Sequence, residues 1–208
     1  MTLRFHAGGG RPPRSHEELL VEPDGRAGYR TGMPWPAQPP FEEAGVYADM
    51  IGPPAAARLH QLARAALADP PPGPLDPDTG AESVRIDGPP VRWDPDHRPP
   101  VSAAAREVIA YMRGHPLAAV RAARAGTDRL ELTNPGRDPV TLRGGEAWAG
   151  DGSPPALVTG EAAALELPAS LGPGEAVLVA APAGARALVH LEVGLPQGEA
   201  LDAWLYVT

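Results

Sequence analysis

Prolines and glycines interrupt this chain so often that few stretches are long enough to form a helix. The 208 residues include 28 Pro and 24 Gly, together a quarter of the chain. Proline has no amide proton to donate and glycine loses the most entropy on ordering, so both tend to end regular elements. A content this high borders on that of disordered chains. We nevertheless expect a folded protein, because the large apolar residues are clustered with clear periods.

Two stretches combine an apolar stripe with helix boundaries. The first begins at Pro53, where the first turn of a helix has no use for the missing amide proton, and ends at Asp69. The second has Ser102 as its predicted N-cap and ends near Gly114. The stripes are Leu59, Leu62, Ala63, Ala66 and Leu67 in the first and Ala105, Val108, Ile109 and Met112 in the second. A further short helix is predicted at residues 117–125.

Short alternating runs around these helices predict strands. The runs are residues 2–6, 17–22, 26–31, 46–51, 83–86 and 91–93. Pro23-Asp24-Gly25 is a typical hairpin turn, and Pro89-Pro90 places the last pair of runs at a sheet edge. We therefore predict that residues 1–126 form an α+β domain, a small antiparallel sheet with two amphipathic helices.

From Thr127 onward the chain contains only strand-like runs, separated by glycine and proline. Six or seven short strands fit into residues 127–208. This pattern is typical of a small β-sandwich. We predict an all-β, immunoglobulin-like sandwich over residues 127–208, with the domain boundary near Gly126.

The composition excludes several kinds of chemistry. The chain has no Cys and no Lys, which rules out thiolate nucleophiles, thiolate zinc sites and Schiff-base catalysis. Residues 127–208 carry 4 Arg against 11 Asp and Glu, so this half repels phosphate and we expect no nucleic-acid partner. No apolar run approaches the ~20 residues that span a membrane, and no signal sequence is evident. We expect a cytoplasmic protein with no membrane partner.

One loop offers ligands for a divalent metal ion. Asp94, Asp96 and His97 lie within four residues of each other and provide carboxylate and imidazole groups. A solvated, proline-rich loop is the alternative interpretation of the same residues. No serine lies in a G-x-S-x-G motif, and no glycine-rich loop has dinucleotide or P-loop spacing. We therefore predict no catalytic residue and no cofactor.

Three aromatic residues are candidates for a binding surface. Trp204 and Tyr206 alternate with the apolar residues of the last strand and so share its other face. An exposed face of this kind is a flat aromatic patch suited to a partner, whereas the alternative is a strand buried on both faces. Trp35, between two prolines, is either such a contact or packs on its own domain.

The order of segments in the first half resembles a known family. The segments are LRFHAGGG, ELLVEPDGRAGYRTG, PPAAARLHQLARAAL, ESVRIDGPPVRW and VSAAAREVIAYM. Over about residues 1–115 they resemble the emfourin-type proteins, which are proteinaceous inhibitors of thermolysin-like metallopeptidases such as protealysin. The resemblance implies a peptidase inhibitor. The second half resembles bacterial immunoglobulin-like modules in its Asn134-Pro135-Gly136 turn and its LGPGE segment.

These features predict a non-enzymatic protein-binding protein, such as an inhibitor or accessory subunit, whose partner is another protein. The prediction depends on the absence of a catalytic motif, on the two-part architecture and on the extended proline-rich loops. Two alternatives stay open: a metal-assisted enzyme that uses Asp94, Asp96 and His97, and a structural docking component of a larger assembly. The oligomeric state is left open as well.

Overall fold

The fold is mixed α and β, with most of the ordered elements being strands. The computed structural model describes residues 1–8, 16–32, 44–70, 80–94, 96–150, 161–184, 186–194 and 200–207. The helices in these residues are α1 (Pro53–Ala68) and α2 (Pro100–Gly114). The strands are β1 (Leu3–Gly8), β2 (His16–Val21), β3 (Arg26–Gly32), β4 (Ala44–Met50), β5 (Ala81–Ile86), β6 (Val91–Trp93), β7 (Ala118–Arg124), β8 (Arg129–Thr133), β9 (Val140–Gly150), β10 (Ala163–Ala164), β11 (Ser170–Leu171), β12 (Ala176–Ala180), β13 (Arg186–Gly194) and β14 (Ala200–Val207).

The chain divides into two compact units. The first unit comprises Met1–Tyr29 and Ala48–His115, and the second comprises Arg30–Tyr47 and Pro116–Thr208. Gly126, the predicted boundary, lies inside the second unit, between β7 and β8, which pair with each other. The units therefore have different bounds from the predicted domains. β7 lies next to β4, and the first residues of β4 belong to the same unit as β7.

The first unit contains a sheet with the strand order β3-β2-β1-β5-β6. β1 pairs antiparallel with β2 and β5, and β5 pairs antiparallel with β6. The predicted hairpin turn is confirmed between β2 and β3, where the Asp24 carboxylate accepts a hydrogen bond from the Arg26 amide at 3.1 Å. The second predicted hairpin is confirmed as β5 and β6, with β6 at the edge of the sheet.

One side of this sheet supplies the core of the first unit. In β1, Leu3 and Phe5 are fully buried, whereas the side chain of Arg4 between them is 45% exposed. α1 packs against β5 and α2, and the predicted stripes are buried at Leu59, Ile109 and Met112. Neither helix in the described part of the chain is long and apolar enough to cross a membrane.

The start of α2 differs from the prediction. The helix begins at Pro100, with Pro99 as its N-cap, because the fixed φ of proline suits a first helical turn. Ser102 therefore lies inside the helix and is not a cap. Its side chain is buried, and its hydroxyl oxygen accepts a hydrogen bond from Trp93 Nε1 at 3.2 Å.

Residues 118–124 form the strand β7, where the sequence predicted a short helix. The segment AAVRAAR is rich in alanine, but helix propensity contributes only about 0.7 kcal/mol per residue or less. β7 lies between β8 and β4, and Ala118, Ala119 and Val120 are buried there. Pairing with strands on both sides outweighs this weak local preference.

The second unit contains two sheets. One has the strand order β12-β8-β7-β4, and the other has the order β10-β9-β13-β14, with β11 also paired to β9. The pairings of β9 with β13, β13 with β14 and β8 with β12 are antiparallel. The predicted strands after residue 127 are confirmed, and their buried apolar side chains include Leu130, Leu132, Val179, Val189, Leu191 and Val193. An immunoglobulin-like arrangement of these sheets stays a prediction.

A fully buried asparagine closes the turn after β8. Asn134 Oδ1 accepts a hydrogen bond from the Gly136 amide at 2.8 Å. Asn134 Nδ2 donates to the carbonyl oxygens of Asp138 at 2.9 Å and Leu171 at 3.0 Å. One side chain thus ties the turn before β9 to β11. The predicted Asn-Pro-Gly turn is confirmed, with the asparagine as its centre.

Candidate functional site

The predicted metal loop forms a local turn. The Asp94 carboxylate accepts a hydrogen bond from the Asp96 amide at 2.9 Å, and the His97 amide donates to the Asp94 carbonyl oxygen at 2.9 Å. Asp96 and His97 are exposed. In the described residues, no three His, Asp or Glu side chains come together as a metal site would require. The geometry gives the Asp94 carboxylate a role in the turn.

The predicted aromatic residues are described to different extents. Trp35 lies outside the described residues. For Trp204 and Tyr206 the structure describes the backbone of β14, whereas their side chains lie outside the description. The pairing of β14 with β13 places the backbone of Trp204 and Tyr206 in the sheet that β9, β13 and β14 form.

Backbone pairing aligns residues of three strands on this sheet. β9, β13 and β14 are neighbours, and His190 in the middle pairs with Glu146 on one side and Trp204 on the other. The next row on the same face joins Trp148 in β9 to Tyr206 in β14. Directly paired residues of an antiparallel sheet share a face. Trp148 and Tyr206 are two strands apart, about 10 Å at the usual strand spacing.

These rows lie on the side of the sheet away from its core. Ala147, Val189 and Leu191 are fully buried and alternate with residues that are partly exposed. The Glu146 side chain is 42% exposed and that of His190 is 25% exposed. We name this surface the aromatic face, which consists of Glu146, Trp148, His190 and Glu192 with the backbone positions of Trp204 and Tyr206.

His190 and Glu146 form the ion pair of the aromatic face. His190 Nδ1 lies 3.5 Å from Glu146 Oε1, and the pair is charged on both sides when the imidazole is protonated. Half-exposed pairs of this kind contribute at most about 1 kcal/mol to stability. The pair therefore orients two side chains on the surface more than it stabilises the sheet.

A row of carboxylate positions crosses the same face beside this pair. Glu192 pairs directly with Asp202 on β14, and Gly144 pairs with Glu192 on the other side. A Cβ placed at Gly144 would meet no atom within 4 Å, so there is open space beside Glu192. Two arginines lie toward the ends of the face: Arg143 next to Gly194, and Arg186 at the backbone position opposite Gly150.

Sequence reasoning identified only part of this surface. Alternation along the last strand placed Trp204 and Tyr206 on one face. Glu146, Trp148 and His190 were missed, although His190 alternates with the buried residues of β13 in the same way. The alternation in β13 was the available signal for His190. Nothing local could align it with Glu146, which lies 44 positions earlier in the chain.

A groove between α1 and α2 is a second candidate surface. It has a volume of about 230 Å³ and is lined by Ile51, Ala55, Arg58, Leu59, Ala104, Glu107, Val108 and Tyr111. Arg58 Nη1 lies 3.6 Å from Glu107 Oε2, and both side chains are 66% exposed. Tyr111 is half exposed and stacks on His115 at 5.4 Å between ring centroids. The groove is mainly apolar and its charged groups form one exposed pair.

Glu82 is a buried carboxylate that joins β5, β6 and α2. Its Oε2 accepts a hydrogen bond from Trp93 Nε1 at 3.1 Å, and its Oε1 accepts one from Arg106. Burial by itself raises the pKa of Glu82, but the hydrogen bonds from Ser102, Arg106 and Trp93 outweigh it. The pKa of this carboxyl therefore lies below its ordinary value. Because its oxygens are occupied by structural donors, we assign Glu82 to stability.

Glu82→Gln is expected to lower the free energy of unfolding by about 1–3 kcal/mol at neutral pH. Because the pKa of Glu82 is lower in the folded state than in the unfolded state, its ionised carboxylate stabilises the fold fully above the unfolded-state pKa of about 4.3. This stabilisation is lost as the pH falls through the folded-state pKa. The difference in the free energy of unfolding between wild type and Glu82→Gln should therefore become smaller below about pH 4. Urea denaturation across this range measures it.

Glu107→Gln is the matched control for Glu82→Gln. It makes the same chemical change at an exposed ion pair, so a much smaller effect is expected at every pH. If the free energies of unfolding of wild type and Glu82→Gln differ by the same amount from neutral to acidic pH, the ionised state assigned to Glu82 is contradicted.

Comparisons of the chain with protein families, with curated proteins and with solved structures found no match.

Proposed function

We propose that this protein is a non-enzymatic protein-binding protein, an inhibitor or accessory subunit, and that its aromatic face contacts the partner. The strand register carries the proposal, because it aligns Trp148 with Tyr206 and His190 with Trp204. Protein interfaces are enriched in Trp and Tyr, which often dominate the binding energy. Three hydrogen-bonded strands also hold these positions in fixed relative places.

Two finer statements belong to the same proposal. Residues 127–208 form an immunoglobulin-like sandwich, which the antiparallel pairing of β8 with β12 and of β13 with β9 and β14 supports. The likeness of residues 1–115 to emfourins makes a thermolysin-like metallopeptidase the first partner to test. Inhibition of such a peptidase by the purified protein, measured with a fluorogenic substrate, tests this form of the proposal.

Affinity capture with three baits tests the role of the aromatic face. The baits are wild type, Trp148→Ala and Tyr111→Ala, each with its fold checked by circular dichroism. We expect one stoichiometric partner on wild type and on Tyr111→Ala. We expect Trp148→Ala to lose it, because removing a central interface tryptophan costs about 2 kcal/mol or more, roughly 30-fold in affinity.

Two results would contradict the proposal in different ways. A partner that is lost with Tyr111→Ala and kept with Trp148→Ala assigns binding to the groove between α1 and α2. The absence of any stoichiometric partner on all three folded baits contradicts a protein-binding function.

A further inference from the structure

We propose that β12 pairs with β12 of a second copy of this chain and joins the two copies in a symmetric dimer. β12 (Ala176–Ala180) is the last strand of its sheet and is hydrogen-bonded to β8. In the described part of the chain, its other edge has no neighbouring strand. The contact involves a different sheet from the aromatic face, so it does not depend on the proposed function.

The open edge of β12 presents backbone groups in a fixed pattern. The Ala181 amide donates a hydrogen bond to the Asp128 carbonyl oxygen at 2.9 Å. The Asn134 amide donates to the Glu175 carbonyl oxygen at 2.9 Å. The odd-numbered positions of this segment therefore bond to β8, since hydrogen-bonded positions alternate along an antiparallel pair. The even-numbered residues direct their amides and carbonyls to the open edge, and they are Ala176, Leu178 and Ala180.

The sequence of β12 reads the same in both directions. It is Ala-Val-Leu-Val-Ala, with Leu178 at its centre. Two antiparallel copies centred on Leu178 would place this residue opposite its counterpart and Ala176 opposite Ala180 of the second copy. In this register all the outward amides and carbonyls face each other, and each of these residue pairs exchanges two hydrogen bonds. A two-fold contact requires a self-complementary surface of this kind.

The exposed side chains of β12 favour the same contact. Leu178 is 52% exposed, more than any other large apolar side chain in the described part of the second unit. It has Glu131 of β8 beside it on one side, and its counterpart in the second copy would supply an apolar neighbour on the other. The two copies of Glu131 would lie three strand spacings apart, about 14 Å, so the pairing brings no like charges together.

β12 also lacks the features that usually keep sheet edges apart. Natural edge strands are protected by charged side chains, prolines or bulges. β12 contains no charged residue and no proline, and it pairs with β8 in one unbroken register. The adjacent Glu175 carboxylate accepts a hydrogen bond from the Gly172 amide at 2.6 Å. At the edge of the first unit's sheet, β6 instead follows Pro90 and carries the exposed Arg92, so we expect β12 and not β6 to pair.

Sedimentation velocity of the full chain over a range of concentrations tests the proposal. We expect a monomer–dimer equilibrium with no larger species, because a two-fold contact uses the open edge of both copies and is then closed. An edge of five residues buries less area than the ~1,200 Å² of stable interfaces. The dimer should therefore be half dissociated at micromolar or higher concentration.

Two variants remove the contact in different ways. Leu178→Lys places like charges opposite each other, and Ala176→Pro removes an amide that points to the open edge. Both side chains are exposed and neither change removes a hydrogen bond to β8, so circular dichroism should show an unchanged fold. Each variant should weaken dimerisation by about tenfold or more. Met50→Lys is the matched control on a 45% exposed side chain of the first unit, and it should dimerise like wild type.

Single-cysteine variants test the strand register, because the chain contains no cysteine of its own. In the proposed dimer the two copies of Leu178→Cys are directly opposite, with Cα atoms about 5.5 Å apart. The two copies of Ala176→Cys are offset by four residues, about 14 Å along the strands. A thiol crosslinker of intermediate length should therefore join Leu178→Cys efficiently and Ala176→Cys poorly.

Three results would overturn the proposal. They are a monomer at every concentration, a dimer that persists in both Leu178→Lys and Ala176→Pro, and equal crosslinking of the two cysteine variants. A monomeric chain whose captured partner is lost with Ala176→Pro would assign the open edge to a strand of another protein.

Discussion

Asn134→Ala is expected to lower the free energy of unfolding by about 3–5 kcal/mol. The side chain is fully buried, and its removal breaks its hydrogen bonds with the Gly136 amide and with the carbonyl oxygens of Asp138 and Leu171. Each buried group left without a hydrogen bond costs about 1–3 kcal/mol. For a chain of this size the melting temperature should fall by roughly 10 °C or more. Thermal unfolding followed by circular dichroism measures the change.

Two further variants separate the hydrogen bonds of Asn134 from the turn itself. Asn134→Asp keeps the acceptor for the Gly136 amide but loses both bonds donated by Nδ2, so it should be destabilised as well. Arg137→Ala lies in the same turn with an exposed side chain and should behave like wild type. A melting temperature of Asn134→Ala close to that of Arg137→Ala would contradict the structural role of the amide.

Gly25→Ala is expected to destabilise the first unit by about 3 kcal/mol or more. Gly25 has a φ of +94°, a backbone conformation that residues with a side chain rarely adopt. An added Cβ would also lie 2.6 Å from the carbonyl carbon of Gly52, which is backbone and cannot rotate away. The amide of Ile51 donates to the Gly25 carbonyl at 2.9 Å, so the two segments cannot separate without losing this bond. Thermal unfolding of the full chain measures the loss.

Gly88→Ala is the matched control for Gly25→Ala. Gly88 has a similar φ of +110°, but a Cβ there would meet no atom within 4 Å. It should therefore show only the cost of the unfavourable φ, about 1–2 kcal/mol. Equal destabilisation of the two variants would mean that the close approach between Gly25 and Gly52 contributes nothing.

Much of the local structure could be predicted from short-range patterns. Pro23-Asp24-Gly25 predicted the first hairpin, and Pro53 predicted the start of α1 at the correct residue. Such signals act within a few residues, where proline, glycine and capping groups restrict the backbone directly. Ser102 shows the limit of this reasoning, because a residue with good capping chemistry has its hydroxyl bonded to Trp93 in the core.

The candidate site depended much less on local patterns. Alternation in β14 identified Trp204 and Tyr206 as sharing one face, which the register now places beside β13. Asp94, Asp96 and His97 were predicted as metal ligands because they are close in sequence, and this stays a prediction. The structure adds that the Asp94 carboxylate accepts a hydrogen bond from the Asp96 amide. The residues that define the aromatic face are close only after β9, β13 and β14 have paired.

Short-range chemistry in the chain accounts for the two helices, the two hairpins of the first unit and the Asn-Pro-Gly turn, since each depends on neighbouring residues. Long-range pairing accounts for the rest. It makes residues 118–124 a strand between β8 and β4, and it aligns Glu146, His190 and Trp204 in one row. A strand register is selected by backbone hydrogen bonds and buried apolar contacts between distant segments, and a shift of one residue would move every side chain to the other face.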